Sequence, residues 1–185
     1  MKTIQSKTLG QLTQYEEFED WWESQAIEIP YFENEQIVIT YSDFTPEEDP
    51  NFLAEADAAV GEFLKKGISE RTATSKLVYK NCMDFLHAIG FEEEDQALWD
   101  IKDANEIWKF VYPSEIYVSR RRYKEQDIYV QICCECDWEQ EHGLQIVLRQ
   151  GKQVTRVSSQ DGHLTEADAY GKPDEQDELL SQFIG

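Results

Sequence analysis

The sequence predicts an α+β fold: an antiparallel β-sheet, made of a C-terminal meander and an N-terminal hairpin, with about three helices packed on it. Three observations carry this. Residues 44–111 hold long segments whose apolar side chains recur at helical spacing. Residues 114–159 switch to period-two alternation interrupted by short polar turns. Residues 26–42 hold a separate pair of alternating runs.

Taken in chain order, residues 14–24 place Tyr15, Phe18, Trp21 and Trp22 at helical spacing and predict a short amphipathic helix. In residues 26–42, Ile27 and Ile29 alternate with acids. Ile37, Ile39 and Tyr41 alternate after the polar turn Glu33-Asn34-Glu35, a hairpin pattern in which Pro30 favours an edge. In residues 44–67, Thr45 and Pro46 followed by acids signal a helix start, because proline suits the first turn and acids suit the positive end of the dipole. Pro50 delays that start to about residue 48. Phe52, Leu53, Ala56, Val60, Phe63 and Leu64 form its apolar stripe, and Lys65, Lys66 and Gly67 end it.

Ser69 is the expected cap of a second helix, with Leu77, Val78, Phe85, Leu86 and Ile89 on its apolar face and Gly90 at its end. Residues 94–111 read as a third helix with Leu98, Ile101 and Trp108 inward, less regular between Ala97 and Asn105. From residue 114, two strands flank a turn near Lys124-Glu125-Gln126, and residues 143–159 supply two more around Gln150-Gly151-Lys152. Asp161-Gly162 makes a further turn. Thr165 with Asp168 reads as a capping box for a short helix. A polar tail from Pro173 can dock Leu179, Leu180 and Phe183 on the core. The 185 residues suit a single domain over 1–185. Its sub-structure would be a hairpin plus helices in 1–112 and the meander with a C-terminal helix in 113–185.

Charge narrows the partners. There are 38 acids against 17 bases, a formal charge of −21 and an isoelectric point near 4.4. The first sixty residues hold two lysines, no arginine and fourteen acids. Nucleic acid and anionic membrane repel such a surface, so neither is expected as a partner; a basic protein is the natural converse, and solubility or a salt-adapted host is the plainer reading of the same charge. The N-terminal residues lack the apolar core of a signal peptide, and four cysteines in a chain of this size read as reduced thiols, so the expected location is cytoplasmic.

The stretch CCECDWEQEHGL, residues 133–144, is the most chemically dense. On a strand, Ile128, Val130, Ile132, Cys134, Cys136 and Trp138 face one way, and Tyr129, Gln131, Cys133, Glu135, Asp137 and Glu139 the other. The first set is apolar, since free cysteine behaves as a small hydrophobe, which makes Cys134 and Cys136 core residues. A zinc set of Cys134, Cys136, His142 and His163 is conceivable, but its spacing is not that of a zinc knuckle. A cysteine nucleophile needs a nearby cation or helix N-terminus, and Cys133 lies beside Glu135 and Asp137 instead. No phosphate-binding glycine loop or nucleophile elbow occurs, so no catalytic residue, metal or cofactor is implied. His142-Gly143 and His163 after Asp161-Gly162 read as turn residues, and His87 as a satisfied core or boundary residue near the apolar face of the second helix. Arg120-Arg121-Arg122 is the one dense basic run; internal pairing with acids is expected, and recognition of an anion is the alternative.

Residues 128–170 resemble an uncharacterised family of small bacterial proteins that carry a C-E-x-x-W-x-x-E-H-G-L run followed by a D-G-H-L turn. The matching residues are Cys134, Glu135, Trp138, Glu141, His142, Gly143 and Leu144, then Asp161, Gly162 and His163; the family's cysteine falls on Cys134 or Cys136. The resemblance covers the C-terminal third and implies a fold neighbourhood rather than a reaction. Small acidic α+β proteins of this kind often serve as immunity proteins, an analogy of class. The expected function is therefore a non-catalytic acidic binding protein that neutralises a basic toxin. The alternative is an enzyme or metal protein built on Glu141, His142 and His163, with Trp138 and Asp161 completing the cluster.

Overall fold

The computed structural model describes residues 2–183. Strands β1 (Thr3–Ser6), β2 (Gly10–Gln14) and β3 (Trp22–Glu23) open the chain. Next come β4 (Ile27–Ile29), β5 (Glu35–Ile37) and β6 (Ile39–Tyr41). Helices α1 (Phe52–Leu64), α2 (Ile68–Ile89) and the single turn α3 (Gln96–Trp99) fill the middle. Strands β7 (Val111–Arg120), β8 (Ile128–Cys136), β9 (Leu144–Arg149) and β10 (Gln153–Ser158) follow, and the single-turn helices α4 (Glu166–Tyr170) and α5 (Glu178–Ser181) come last.

The fold is α+β, with one large, mostly antiparallel sheet. Its eight strands run in the order β1-β2-β3-β6-β7-β8-β9-β10, while β4 and β5 pair only with each other. The expected hairpin is therefore real, with Ile27 opposite Ile37, but it stands off the main sheet. Its turn places Glu33 and Asn34 at positive φ. The one parallel pair is β6 with β7. The helices between them carry the chain back to the end from which β6 started, as a parallel pair requires.

The C-terminal meander matches expectation closely. Gln150 and Gly151 both take positive φ between β9 and β10, the conformation favoured in two-residue hairpin turns. Gly151 is obligatory for a second reason: a Cβ there would lie 1.9 Å from the Ala59 carbonyl oxygen of α1. In β7, register shifts between Pro113 and Glu115, a bulge that accommodates a proline with no N–H to give the ladder.

Three expectations need correction. Residues 14–24 are not a helix: they form the end of β2, a loop and β3, and β3 pairs with both β2 and β6. Sheet pairing overrides the local spacing, burying Trp22 and leaving Trp21 on the other side. Helix α2 starts two residues earlier than a Ser69 cap allows: Gly67 is the N-cap, and the Glu70 carboxylate accepts from its N–H at 2.8 Å. The third predicted helix is reduced to α3 and a 3-10 segment, Ala104–Phe110, which nonetheless buries Ile107; Leu98 and Ile101 are buried as expected. The helix complement among the described residues is two long helices and three single turns, rather than about three.

The core lies between the sheet and α1 and α2. Phe52, Ala56, Val60 and Phe63 of α1, with Val78, Cys82 and Leu86 of α2, meet Ile116, Val118, Val130, Ile132 and Ile146 of the sheet. Asp57, also on the buried side of α1, accepts from Ser6 Oγ at 2.5 Å, Lys7 N–H at 2.7 Å and Tyr41 Oη at 2.7 Å. These bonds satisfy a buried carboxylate and fasten β1 to the helix layer. At the far end of the sheet, α5 packs beside β10, and Glu166 of α4 reaches Arg156 of the same strand. There Asp177 accepts from Ala167 N–H at 3.0 Å and from Leu180 N–H at 2.9 Å, capping both short helices at once.

Candidate functional site

The cysteine strand is core. Cys134, Cys136 and Trp138 lie in the main apolar cluster, as alternation predicts, and Trp138 Nε1 donates to Asn81 Oδ1 at 3.1 Å. Cys133 and Tyr129, on the other face, are also buried, because that face is partly covered. All four cysteines are free thiols. Burial pushes the Cys82, Cys133 and Cys136 thiols up to about 12, and that of fully enclosed Cys134 well above its ordinary range.

The Glu141, His142, His163, Trp138 and Asp161 cluster is spread over two adjoining turns. The turns touch through the backbone, Gln160 N–H donating to the His142 carbonyl at 3.2 Å. His142 is 61% exposed, its Nδ1 lying 3.5 Å from Glu139 Oε1; Glu141 and His163 are also exposed. Gly143 takes positive φ, and a Cβ there would meet the Cys134 carbonyl at 2.6 Å. Asp161 is committed to structure. It receives Arg156 Nη1 and Nη2, each at 2.6 Å, Gln145 Nε2 at 3.1 Å and the His163 N–H at 3.0 Å. Burial alone would raise the Asp161 carboxyl, but the Arg156 bonds overcome it and hold the group below its usual range. No three His, Cys, Asp or Glu side chains among the described residues converge as metal ligands.

Two of the three arginines of the run, Arg120 and Arg121, pair with acids of the chain as expected, while Arg122 is exposed. Arg121, with a 4% exposed side chain, donates to Asp168 at 2.8 and 2.7 Å, to Asp174 at 2.9 and 2.8 Å and to Glu125 at 2.9 Å. Arg120 meets Asp49 at 2.6 Å and Glu55 at 2.7 Å, and Arg122 donates to the Asp43 carbonyl. With Arg71, Arg149 and Arg156, five of the six arginines sit in ion pairs with acids. His87, at the end of α2, is exposed and sits edge-on to Trp99, ring centroids 5.1 Å apart.

The feature that sequence reasoning missed is on the uncovered sheet face. A cavity of about 360 Å³ lies there, walled by Tyr15, Phe18, Trp21 and Tyr117 and holding Glu23 and Glu115. The loop from β2 to β3 builds its rim: Tyr15 N–H donates to the Trp21 carbonyl at 2.8 Å, and Trp21 N–H to the Phe18 carbonyl at 3.1 Å. The rings lock together, Phe18 with Trp21 at 4.9 Å and Trp21 edge-on to Tyr117 at 5.3 Å. Tyr117 donates its hydroxyl to Glu115. Burial, then the charge of Glu115, raises the Glu23 carboxyl above its ordinary value. The signal was present in Trp21-Trp22-Glu23: strand alternation sends Trp22 inward and Trp21 outward, where helical spacing merges them into one stripe.

Fold and surface together define an acidic α+β protein whose sheet is covered by helices on one face and open over part of the other. No helix among the described residues is long and apolar enough to cross a membrane. Residues 8–164 match the family described as a domain of unknown function (DUF6985), and the chain belongs to that family. No curated protein and no solved structure matches it.

Proposed function

We propose that this protein is a non-catalytic, acidic binding protein of the immunity type, which neutralises a basic protein toxin. The observation that carries the reading is the charge: −21 overall, with five of the six arginines turned into internal ion pairs. Paired arginines contribute little outward positive field, so the surplus of acids faces solvent. Such a field speeds encounter with a cationic partner and discriminates against anionic ones. The arrangement of the histidines gives the binding reading further support, since His142 and His163 stand exposed on turns while Asp161 is occupied by Arg156.

The test is co-expression with the product of the neighbouring gene, followed by association kinetics with the purified pair. Protection of the host cell, and an on-rate falling at least tenfold between about 20 and 300 mM salt, are expected for a steered encounter. Absence of protection, or an on-rate indifferent to salt, refutes the proposal.

A further inference from the structure

The aromatic cavity on the open sheet face holds two carboxylates and no cation. Neither Glu23 nor Glu115 forms an ion pair with a residue of the described chain, while nearly every arginine elsewhere is matched to acids. The rim adds more negative charge, for Glu16, Glu17 and Glu19 are exposed on the same loop. Four aromatic rings line the cavity with these acids, and Trp21 is held in place by a tilted contact with Phe18 and an edge contact with Tyr117. The volume falls within the range of small-ligand sites, roughly 300–1,000 Å³.

We propose that this cavity receives an arginine side chain of a basic protein partner, the guanidinium stacking on Trp21 and donating to Glu23 and Glu115. A planar cation gains from an aromatic face and from carboxylates together, and guanidinium has the fork of donors that two acids can share. Its entry would relieve the repulsion between Glu23 and Glu115. The aliphatic stem would lie against Tyr15 and Phe18, which are otherwise exposed apolar surface. The assignment rests on the binding reading above and deepens it, naming the anchor through which such a partner is held.

The experiment titrates the full chain with acetyl-glycyl-arginyl-glycinamide and with its lysine and citrulline counterparts at constant ionic strength. The readout is the indole N–H resonance of Trp21, identified by its loss in Trp21→Phe. The arginine peptide is expected to shift that resonance saturably. The citrulline peptide, isosteric but uncharged, should bind at least about tenfold more weakly, and the lysine peptide about threefold more weakly. Glu23→Gln and Glu115→Gln should each cost about tenfold, while the remote double change Glu93→Gln with Glu94→Gln should leave binding unaltered. Equal binding of the citrulline peptide, a response that does not saturate, or full binding in both glutamine variants overturns the assignment. Because the charge-based function is tested with the whole partner protein, a silent cavity with intact protection would sink the anchor alone. Loss of protection with a working cavity would sink the function.

Discussion

Replacing Arg121 by methionine should destabilise the protein by about 3 kcal/mol, and the loss should shrink in acid. Arg121 is 4% exposed and gives five charge-assisted hydrogen bonds to three carboxylates. Methionine fills much of the same space but leaves Glu125, Asp168 and Asp174 facing one another. Breaking a buried ion pair from one side costs about 3–5 kcal/mol. The lower end applies here, because the three side chains are 20%, 26% and 32% exposed and can recover water. Lys124, 3.5 Å from Asp174, and Arg149, 3.8 Å from Glu125, also remain. With a urea slope of about 2 kcal/mol/M, the midpoint should fall by about 1.5 M.

The pH dependence separates this account from simple loss of packing. Burial alone would raise Asp168, but its bonds to Arg121 hold it below the ordinary range, and the same bonds lower Asp174. A lowered folded-state value means the stabilisation is complete above the unfolded carboxylate pKa of about 3.9 and is lost as pH falls through the folded value. In the variant the crowded acids take up protons at higher pH. The difference between the two proteins should therefore narrow below about pH 4. Equilibrium urea melts at pH 7 and pH 3 measure both quantities. A difference under 1 kcal/mol at pH 7, or one that is equal at both pH values, refutes the reasoning.

Gly151→Ala should cost about 3 kcal/mol, since the new Cβ would sit 1.9 Å from the Ala59 carbonyl. Gly162→Ala has comparable positive φ but no atom within 4 Å, and should cost only about 1 kcal/mol. Similar midpoints for the two variants in thermal melts would contradict the close approach of the β9–β10 turn to α1. Native protein at pH 8 should react with fewer than one thiol equivalent of Ellman's reagent in minutes, against four in denaturant, because every cysteine is buried. Raised thiol values also imply alkaline lability. The stability held by neutral Cys82, Cys133 and Cys136 is complete below the unfolded thiol pKa of about 8.5 and drains away as pH climbs toward about 12. A urea midpoint unchanged between pH 8 and pH 11 would count against it.

Much of this protein is written locally. The meander from β7 to β10 follows from alternation and from Gln150-Gly151, because a strand buried on one face must repeat with period two and a tight turn needs positive φ. The stripe of α1 and the capping contact of Thr165 with Asp168 are likewise properties of short segments. The alternation in CCECDW by itself makes Cys134, Cys136 and Trp138 core residues, which is where they lie. Family membership, too, was visible in the motif around His142 and Gly143.

What the tertiary structure alone decided depends on partners distant in sequence. Residues 14–24 have helical spacing, yet β6 and β2 supply ladder partners to Trp22 and Glu23 and draw the segment into the sheet. The parallel register of β6 on β7 required α1 and α2 to cross between them. Cys133 and Tyr129 are buried only because other parts of the chain lie over the second face. The aromatic cavity joins Trp21 to Tyr117 and Glu23 to Glu115 across almost a hundred residues, a juxtaposition with no periodicity to announce it. Alternation tells which face a side chain takes; what covers that face is set by strand order, which is a long-range property.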